Sequence, residues 1–218
     1  MDAVIFDMDG VLVDTEAAHE TLGEEFFKSK RLDMPPEVTR TLIGATGEKF
    51  WGTFEARNPG VDSGAVRREY NEFMDSRLTD YSKIMNPGVS SLIASIKRAG
   101  YGLALATSSG RANAERVLSQ CGLEEFFDVV VCGGDVSESK PSPQIFLKAA
   151  DLLGVTPSAC VIVEDSHNGV RAGKASGATV LGKEDKRFFQ DISSADQIVT
   201  TLEGLSVHDL EALWDQAN

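Results

Sequence analysis

The chain has 218 residues, of which 42% are hydrophobic and 25% are charged, and its formal net charge is -13. This composition is typical of a globular protein of one domain or two small ones, long enough to bury a sizeable core. The negative charge argues against nucleic acid or an anionic membrane surface as a partner, because both would repel the chain.

The start of the chain and its cysteines bear on location. The first apolar run begins at Ala3, which leaves no room for a targeting peptide, and no apolar run is long enough to span a membrane. The cysteines Cys121, Cys132 and Cys160 show no CxxC spacing, and we interpret them as thiols of a reducing compartment. We therefore expect a cytoplasmic protein. The sequence does not define the oligomeric state, for which a monomer is our expectation.

Short apolar runs recur along the chain between helical patterns. They predict these strands: Ala3–Phe6, Gly102–Ala106, Val129–Cys132, Cys160–Val163, Ala178–Leu181 and Gln197–Val199. Several runs are unbroken and β-branched, which indicates strands buried on both faces of a parallel sheet. Helical periodicity predicts helices between them: a stripe from Val89 to Ile96, then Gln144–Leu153 and Ser166–Ala175. The alternation predicts an α/β fold with a doubly wound (Rossmann-like), mostly parallel sheet.

One interval departs from this alternation. Residues 14–83 show helical patterns but no convincing strand: Ala18, Leu22 and Phe26 recur at i+4 spacing, and Val66 to Arg77 fits a second amphipathic helix. We therefore predict a catalytic core domain of residues 1–13 plus 84–218, with an inserted α-helical cap domain of residues 14–83. The insertion is expected over the C-terminal edge of the sheet, where ligands bind in such folds.

Two carboxylates, Asp7 and Asp9, come directly after the first predicted strand, and Gly10 follows them. Side chains two positions apart in a strand share a face, so the two charges start on the same side. At 4 Å such charges repel by about 4 kcal/mol at an effective dielectric constant of about 20. This cost predicts either a bound cation or a proton held by one of the pair.

Other polar residues follow the remaining strands: Thr107, Ser108 and Ser109, then Lys140, then Glu164 and Asp165. In a parallel sheet these strand ends meet at one edge. Converging carboxylate oxygens attract Mg²⁺, while a hydroxyl near a helix N-terminus and a lysine can bind phosphate. A carboxylate can also attack phosphorus and form an aspartyl-phosphate. The sequence therefore predicts a magnesium-dependent site for phosphoryl transfer.

These residues closely resemble the motifs of the haloacid dehalogenase superfamily. Segments of the chain match the motifs in family order: Asp7 to Thr15, then Thr107, then Lys140, then Glu164-Asp165. The helical insertion resembles the small cap of the β-phosphoglucomutase-like branch, which also contains phosphatases. The segment Ser139 to Pro143 is similar to that branch as well.

The resemblance implies a role for each residue. Asp7 would be the nucleophile and a Mg²⁺ ligand, and Asp9 the general acid and base, with its backbone carbonyl on the metal. Asp165 and Glu164 would be further metal ligands, and Lys140 a catalytic, phosphate-binding cation. The implied residues for binding the phosphate and substrate are Thr107, Ser108, Lys140, His19 and Gly10. The cap would set specificity, with candidate contacts at Glu16, His19, Thr46, Lys49 and Arg67.

The function implied is a magnesium-dependent phosphatase that hydrolyses a small phosphorylated metabolite, expected to be a sugar phosphate, through an aspartyl-phosphate. The alternative is a sugar phosphomutase of the β-phosphoglucomutase type. Such mutases hold a second phosphate partly with a cap arginine, whose place is taken here by Gly47, and their Lys-Asn pair is replaced by Gly110-Arg111. Both departures favour the phosphatase. Dehalogenation fits poorly, because that branch needs no Mg²⁺ and lacks the aspartate matching Asp9, and a phosphorylated receiver module would be shorter and have no cap.

Overall fold

The protein consists of two compact units. Apart from the side chain of Asp75, the computed structural model describes residues 1–42, 47–77, 80–188 and 190–218. One unit comprises Met1–Asp14 and Ser82–Asn218, and the other comprises Thr15–Tyr81. The first unit is α/β and the second is helical. Their assignment as a catalytic core and a cap domain stays a prediction.

The first unit is built on one parallel sheet. Its strands are β1 (Ala3–Phe6), β2 (Gly102–Thr107), β3 (Val129–Cys132), β4 (Cys160–Glu164), β5 (Thr179–Lys183) and β6 (Gln197–Val199). Their order is β3-β2-β1-β4-β5-β6, and every neighbouring pair is parallel. The predicted doubly wound fold is confirmed. β5 begins one residue later than predicted and ends at Lys183, because pairing with β6 continues the strand beyond its apolar run.

The described residues form these α-helices: α1 (Thr15–Ser29), α2 (Pro36–Arg40), α3 (Gly47–Arg57), α4 (Ser63–Arg77), α5 (Val89–Arg98), α6 (Arg111–Gln120), α7 (Gln144–Leu153), α8 (His167–Ser176) and α9 (Val207–Ala217). Helices cover both faces of the sheet. α7 and α8 pack over a cluster that includes Ile5, Ala104 and Ile162, while α5 and α9 pack together and against β2 and β5. Both faces of the central strands are therefore buried, as their unbroken apolar sequences predict.

The second unit is a helical cluster around aromatic side chains. α1 packs against α2 and α4, and α3 packs against α4. The buried core includes Phe26, Phe27 and Phe54, and the Phe27 and Tyr70 rings stack with their centroids 5.3 Å apart. In the part of the chain that the structure describes, no helix combines the length and apolarity needed to cross a membrane.

The chain leaves and re-enters the first unit along two adjacent segments. The backbone N–H of Asp14 donates to the Ile84 carbonyl at 2.7 Å, and that of Asn86 donates to the Leu12 carbonyl at 2.9 Å. These segments continue directly from the loop that carries Asp9. The connections to the helical unit are therefore hydrogen-bonded to each other beside the carboxylates.

Candidate active site

Parallel register brings the C-terminal ends of the central strands to one level. Phe6 pairs with Leu105 of β2 and with Val163 of β4. Asp7 directly follows Phe6, and Glu164 directly follows Val163. Both carboxylates therefore lie at the same edge of the sheet, as the sequence predicts for these strand ends.

The ammonium of Lys140 joins these two acids. Its Nζ donates to Asp7 Oδ1 at 2.5 Å and to Glu164 Oε1 at 2.7 Å. It also donates to the Ala106 carbonyl at 3.2 Å and lies 4.9 Å from the centre of the Phe146 ring. All three charged side chains are buried, with 9% or less of each exposed. Lys140, which is 133 residues from Asp7 and 24 residues from Glu164 in the sequence, thus forms the centre of the cluster.

Burial and the neighbouring opposite charge have opposing effects on the pKa values of both Asp7 and Lys140. Burial, with the Glu164 and Asp9 carboxylates, raises the pKa of Asp7 from 3.8 to about 7 against the opposing effect of Lys140. Burial also lowers the pKa of Lys140, but the Asp7 and Glu164 carboxylates raise it above its ordinary value. Lys140 is therefore a fixed positive charge at neutral pH, while the surroundings of Asp7 disfavour its ionised form.

Both carboxylate oxygens of Glu164 accept hydrogen bonds. Its Oε2 accepts the backbone N–H groups of Asp165 and Ser166, each at 2.8 Å, while Oε1 accepts from Lys140. A Cβ atom on Gly169 would lie only 1.7 Å from Oε1, so the carboxylate rests directly against this glycine. A metal at Glu164 would have to share Oε1 with Lys140. The role of Glu164 as a metal ligand stays a prediction.

The carboxylate of Asp9 is hydrogen-bonded to the turn that follows β2. Ser109 Oγ donates to Asp9 Oδ2 at 2.8 Å, and the Ser109 N–H donates to the buried Thr107 hydroxyl at 3.0 Å. The Thr107 oxygen thus accepts within a turn, which leaves its hydrogen to be donated to an anion. Ser108 is exposed at the tip of the same turn. The phosphate-binding roles of Thr107 and Ser108 stay predictions.

Gly10 and Asp165 are in direct contact. Gly10 has a φ of +76°, and a Cβ there would lie 1.8 Å from Asp165 Oδ2. Any larger residue would therefore be strained in its backbone and would displace the Asp165 carboxylate. This contact brings the last of the predicted carboxylates to the loop that carries Asp9.

Two further side chains at this edge were not among the predicted site residues: Asn86 and Lys183. Asn86 and Lys183 are both buried, and both donate to the Gly10 carbonyl. Asn86 and Lys183 carry no local sequence signal, because contacts between distant segments bring them to Gly10: Lys183 lies in β5, and Asn86 precedes α5.

The donor atoms at this edge fit Mg²⁺ in kind. Carboxylate oxygens of Asp7 and Asp165, together with backbone carbonyls, are the hard ligands that this cation prefers. Because Glu164 and Asp9 raise the pKa of Asp7, a divalent cation would also relieve local negative charge. Among the residues that the structure describes, however, no group of three or more His, Cys, Asp or Glu side chains is arranged as a metal site. The magnesium site stays a prediction.

The predicted cap residues lie in the helical unit. His19 and Glu16 line a cavity of about 280 Å³ whose walls include Phe50, Trp51 and Tyr70. Trp51 is half-buried, packs against the core of the helical unit and also lines this cavity. Lys49 and Arg67 are exposed, and Thr46 lies outside the described residues. The role of His19 in substrate binding stays a prediction.

A family model described as haloacid dehalogenase-like hydrolase matches residues 4–183. The chain belongs to this family. The predicted superfamily is therefore confirmed, and the matched residues span the segments that carry Asp7, Thr107, Lys140 and Asp165.

Relatives place this haloacid dehalogenase-like protein in the branch of phosphatases and phosphoglucomutases. It is 31% identical over 181 residues to fructose-1-phosphate phosphatase YqaB of Escherichia coli, covering 80% of this chain and 92% of YqaB. It is 27% identical over 224 residues to the beta-phosphoglucomutase of Bacillus subtilis, covering 99% and 96%.

A solved structure is similar over nearly the whole chain. It is that of a CbbY variant from Rhodobacter sphaeroides in complex with xylulose-1,5-bisphosphate, with a TM-score of 0.79 and 30% identity, covering 96% of this chain and 99% of CbbY. The family match and the similarity to YqaB confirm the predicted enzyme class, a phosphoric monoester hydrolase of the haloacid dehalogenase type.

Proposed function

We propose that this protein is a magnesium-dependent phosphatase that hydrolyses a small phosphorylated metabolite through an aspartyl-phosphate on Asp7. The observation that carries the proposal is the buried arrangement of Asp7, Lys140 and Glu164, with the ammonium 2.5 Å from Asp7 Oδ1 and 2.7 Å from Glu164 Oε1. A lysine fixed beside the attacking oxygen can also bind an oxygen of the phosphate.

In the first step, a carboxylate oxygen of Asp7 attacks phosphorus in line with the leaving oxygen. The new bond joins Asp7 to phosphorus, and the bond between phosphorus and the ester oxygen breaks. Asp9 gives its proton to the departing alkoxide, so the alcohol leaves neutral. Ser109 orients Asp9 for this transfer through its hydrogen bond of 2.8 Å to Oδ2.

In the second step, water attacks the phosphorus of the aspartyl-phosphate. Asp9, now ionised, accepts the proton of the water, and the bond between Asp7 and phosphorus breaks. Inorganic phosphate leaves, and both carboxyl groups return to their starting states. Throughout, Lys140 and the Thr107 hydroxyl offset negative charge on the phosphoryl oxygens.

Asp7, Asp165, the Asp9 backbone carbonyl and Glu164 would hold Mg²⁺. When bound, the ion would neutralise charge on the transferring phosphoryl group and favour the ionised form of Asp7. The buried position of Asp7 gives this second effect its importance, because burial is the largest of the causes that raise the pKa of Asp7.

A small sugar phosphate is the substrate class that we propose. The support comes from the relatives, which include a fructose-1-phosphate phosphatase and a protein that binds xylulose-1,5-bisphosphate. The cavity of the helical unit, with its aromatic walls and the polar side chains of Glu16 and His19, has chemistry that suits the hydroxyl groups and apolar face of a sugar. The monomeric state and the cytoplasmic location stay predictions.

The test is phosphate release from p-nitrophenyl phosphate and from a panel of sugar phosphates, with Mg²⁺ and with excess chelator. We expect release only with Mg²⁺, and we expect Asp7→Asn to lower kcat by about 10³-fold or more while the protein stays folded. Asp151→Asn, an exposed aspartate on α7, is the matched control and should keep full activity. Substantial activity of Asp7→Asn, or equal release in chelator, would contradict the mechanism.

A phosphomutase is the second candidate, and one observation favours it. Gly47 occupies the place of the cap arginine, but Arg67 Nη2 lies 3.9 Å from where a Cβ of Gly47 would be. This exposed guanidinium could hold a second phosphate in place of the missing side chain. The mutase requires that β-glucose 1-phosphate be converted to glucose 6-phosphate faster than phosphate is released, and that Arg67→Ala abolish this preference.

A further inference from the structure

A buried lysine outside the predicted site lies against the loop that carries Asp9. Lys183 is the last residue of β5, where it pairs with Val199 of β6, and it is 7% exposed. Its Nζ donates to the Gly10 carbonyl at 2.8 Å, across 173 residues of sequence. A buried ammonium is costly unless its environment compensates the charge, so this contact calls for a physical reason.

The same carbonyl receives a second buried donor. Asn86 Nδ2 donates to the carbonyls of Gly10 and Val11, each at 2.9 Å. The Asp165 carboxylate lies against the Gly10 Cα, where an added Cβ would be 1.8 Å from Oδ2. The backbone that follows Asp9 is thus fixed between an ammonium, an amide and a carboxylate that come from three distant segments.

A neutral donor such as Asn86 would be enough to satisfy one carbonyl. A charged donor makes a hydrogen bond roughly twice as strong, and the positive charge of Lys183 also interacts with the Asp185 carboxylate. This neighbouring acid and the Gly10 carbonyl compensate the burial of Lys183, while Lys183 holds the loop that carries Asp9. The Asp9 side chain is held by Ser109, and the carbonyl of the next residue, Gly10, is held by Lys183.

We propose that Lys183, together with Asn86, is a positioning residue that fixes the Asp9–Gly10 segment and so aims the Asp9 carboxyl group at the reacting oxygen. The inference rests on the proposed phosphatase function, since the effect of Lys183 is exerted through Asp9. It concerns the turnover step and not the binding of the phosphate, because Lys183 donates to backbone and Lys140 is the lysine beside Asp7.

The first test separates kcat from KM. We expect Lys183→Met to lower kcat for p-nitrophenyl phosphate by about 10- to 100-fold and to change KM by less than about 2-fold. Lys186→Met is the matched control, because Lys186 is exposed and lines the same cavity of about 330 Å³ as Lys183. A Lys183→Met enzyme with unchanged kcat, or one with raised KM alone, overturns the proposal.

The cavity allows a chemical rescue, which a merely structural role would not show. Lys183→Ala removes the side chain beside this cavity, and added propylammonium can enter it and replace the lost donor. We expect propylammonium to restore kcat in Lys183→Ala by several-fold and to leave the wild type and Asp7→Asn unchanged. Absence of rescue in a folded Lys183→Ala protein counts against the proposal.

Hydrogen exchange provides a readout that requires no turnover. The N–H groups of Leu12 and Val13 both donate to the Met8 carbonyl within this loop, at 2.8 and 3.2 Å. In the metal-free protein we expect their exchange to be at least about 10-fold faster in Lys183→Met and unchanged in Lys186→Met. Faster exchange with full kcat would show that Lys183 only stabilises the loop, which overturns the proposal.

Circular dichroism shows first whether each variant folds. If Lys183→Met does not fold, Lys183→Gln, which keeps a neutral donor, is measured in its place with the same expected directions; failure of both to fold assigns Lys183 to the fold and overturns the proposal. The proposed function fails separately, through a wild-type enzyme with no turnover that depends on Asp7. The two failures are thus distinguishable.

Discussion

The surroundings of Asp7 favour its neutral form, whereas the proposed chemistry requires its ionised form. Burial and the neighbouring carboxylates make its ionised form costly, and Lys140 only partly compensates, so that its pKa is raised from 3.8 to about 7. The proposed nucleophile must nevertheless be ionised to attack phosphorus. A cation at this edge would resolve the conflict, because it stabilises the ionised form without removing the acid.

This conflict predicts how the stability of the metal-free protein depends on pH. A carboxyl group with a raised folded-state pKa binds a proton more tightly in the folded state than in the unfolded chain. Its contribution to stability is full below about pH 4 and is lost as pH rises through about 7. We expect the free energy of unfolding to fall between pH 5 and pH 8 by on the order of 2 kcal/mol from Asp7 alone.

Urea unfolding of the wild type and of Asp7→Asn in chelator, at pH 5 and pH 8, measures this contribution. The amide cannot ionise, so the decrease should be smaller in Asp7→Asn, and the difference between the two proteins isolates Asp7 from all other titrating groups. A steeper decrease in the variant than in the wild type would show that the Asp7 pKa is not raised.

Among the elements, α8 has a glycine in its first turn that makes room for the charged carboxylate of Glu164. Its first turn places Gly169 against the carboxylate of Glu164, where a Cβ would lie 1.7 Å from Oε1. Ser166 caps the same helix by accepting the Gly169 N–H at 3.0 Å. The glycine is required by the close approach of the acid, although a glycine within a helix is otherwise unfavourable.

We predict opposite effects for alanine at two helical glycines. Gly169→Ala must displace the Glu164 carboxylate from Lys140 and the backbone N–H groups, so we expect about 1–3 kcal/mol of destabilisation and a large loss of kcat. Gly52→Ala in α3 meets no atom within 4 Å and should stabilise the protein by about 0.5–1 kcal/mol with unchanged kcat. Thermal unfolding and phosphate release measure both; a neutral Gly169→Ala would contradict the contact.

Sequence patterns predict most of these elements because apolar periodicity is a local property. β1, β3, β6 and α7 have the predicted bounds, and the acids at the ends of β1 and β4 lie at one edge as expected from parallel strands. Side-chain contacts between distant segments could not be predicted. The buried bonds from Lys183 and Asn86 to Gly10 join residues 173 and 76 positions apart, and neither residue lies in a pattern that marks it.

At the scale of the whole molecule, a net charge of -13 opposes the approach of an anionic phosphate ester. Lys140, the cation beside Asp7, is buried and engaged with two acids, so it acts only at short range. We therefore predict that KM for a sugar phosphate falls by about 2- to 5-fold as ionic strength rises from about 10 to 150 mM at constant free Mg²⁺. Steady-state kinetics in NaCl and in KCl measure it. A KM that rises with both salts would mean that local attraction, not overall repulsion, governs association.

The paired segments around Asp14 and Ile84 have a consequence for how such enzymes diversify. Because the Asp14 N–H bonds to the Ile84 carbonyl at 2.7 Å, the two points between which residues 15–81 are inserted are already neighbours. A shorter or longer helical module could be grafted between them with little added cost of closing the chain. New substrate preferences could thus arise by exchanging one module while the acids and lysines of the sheet stay untouched.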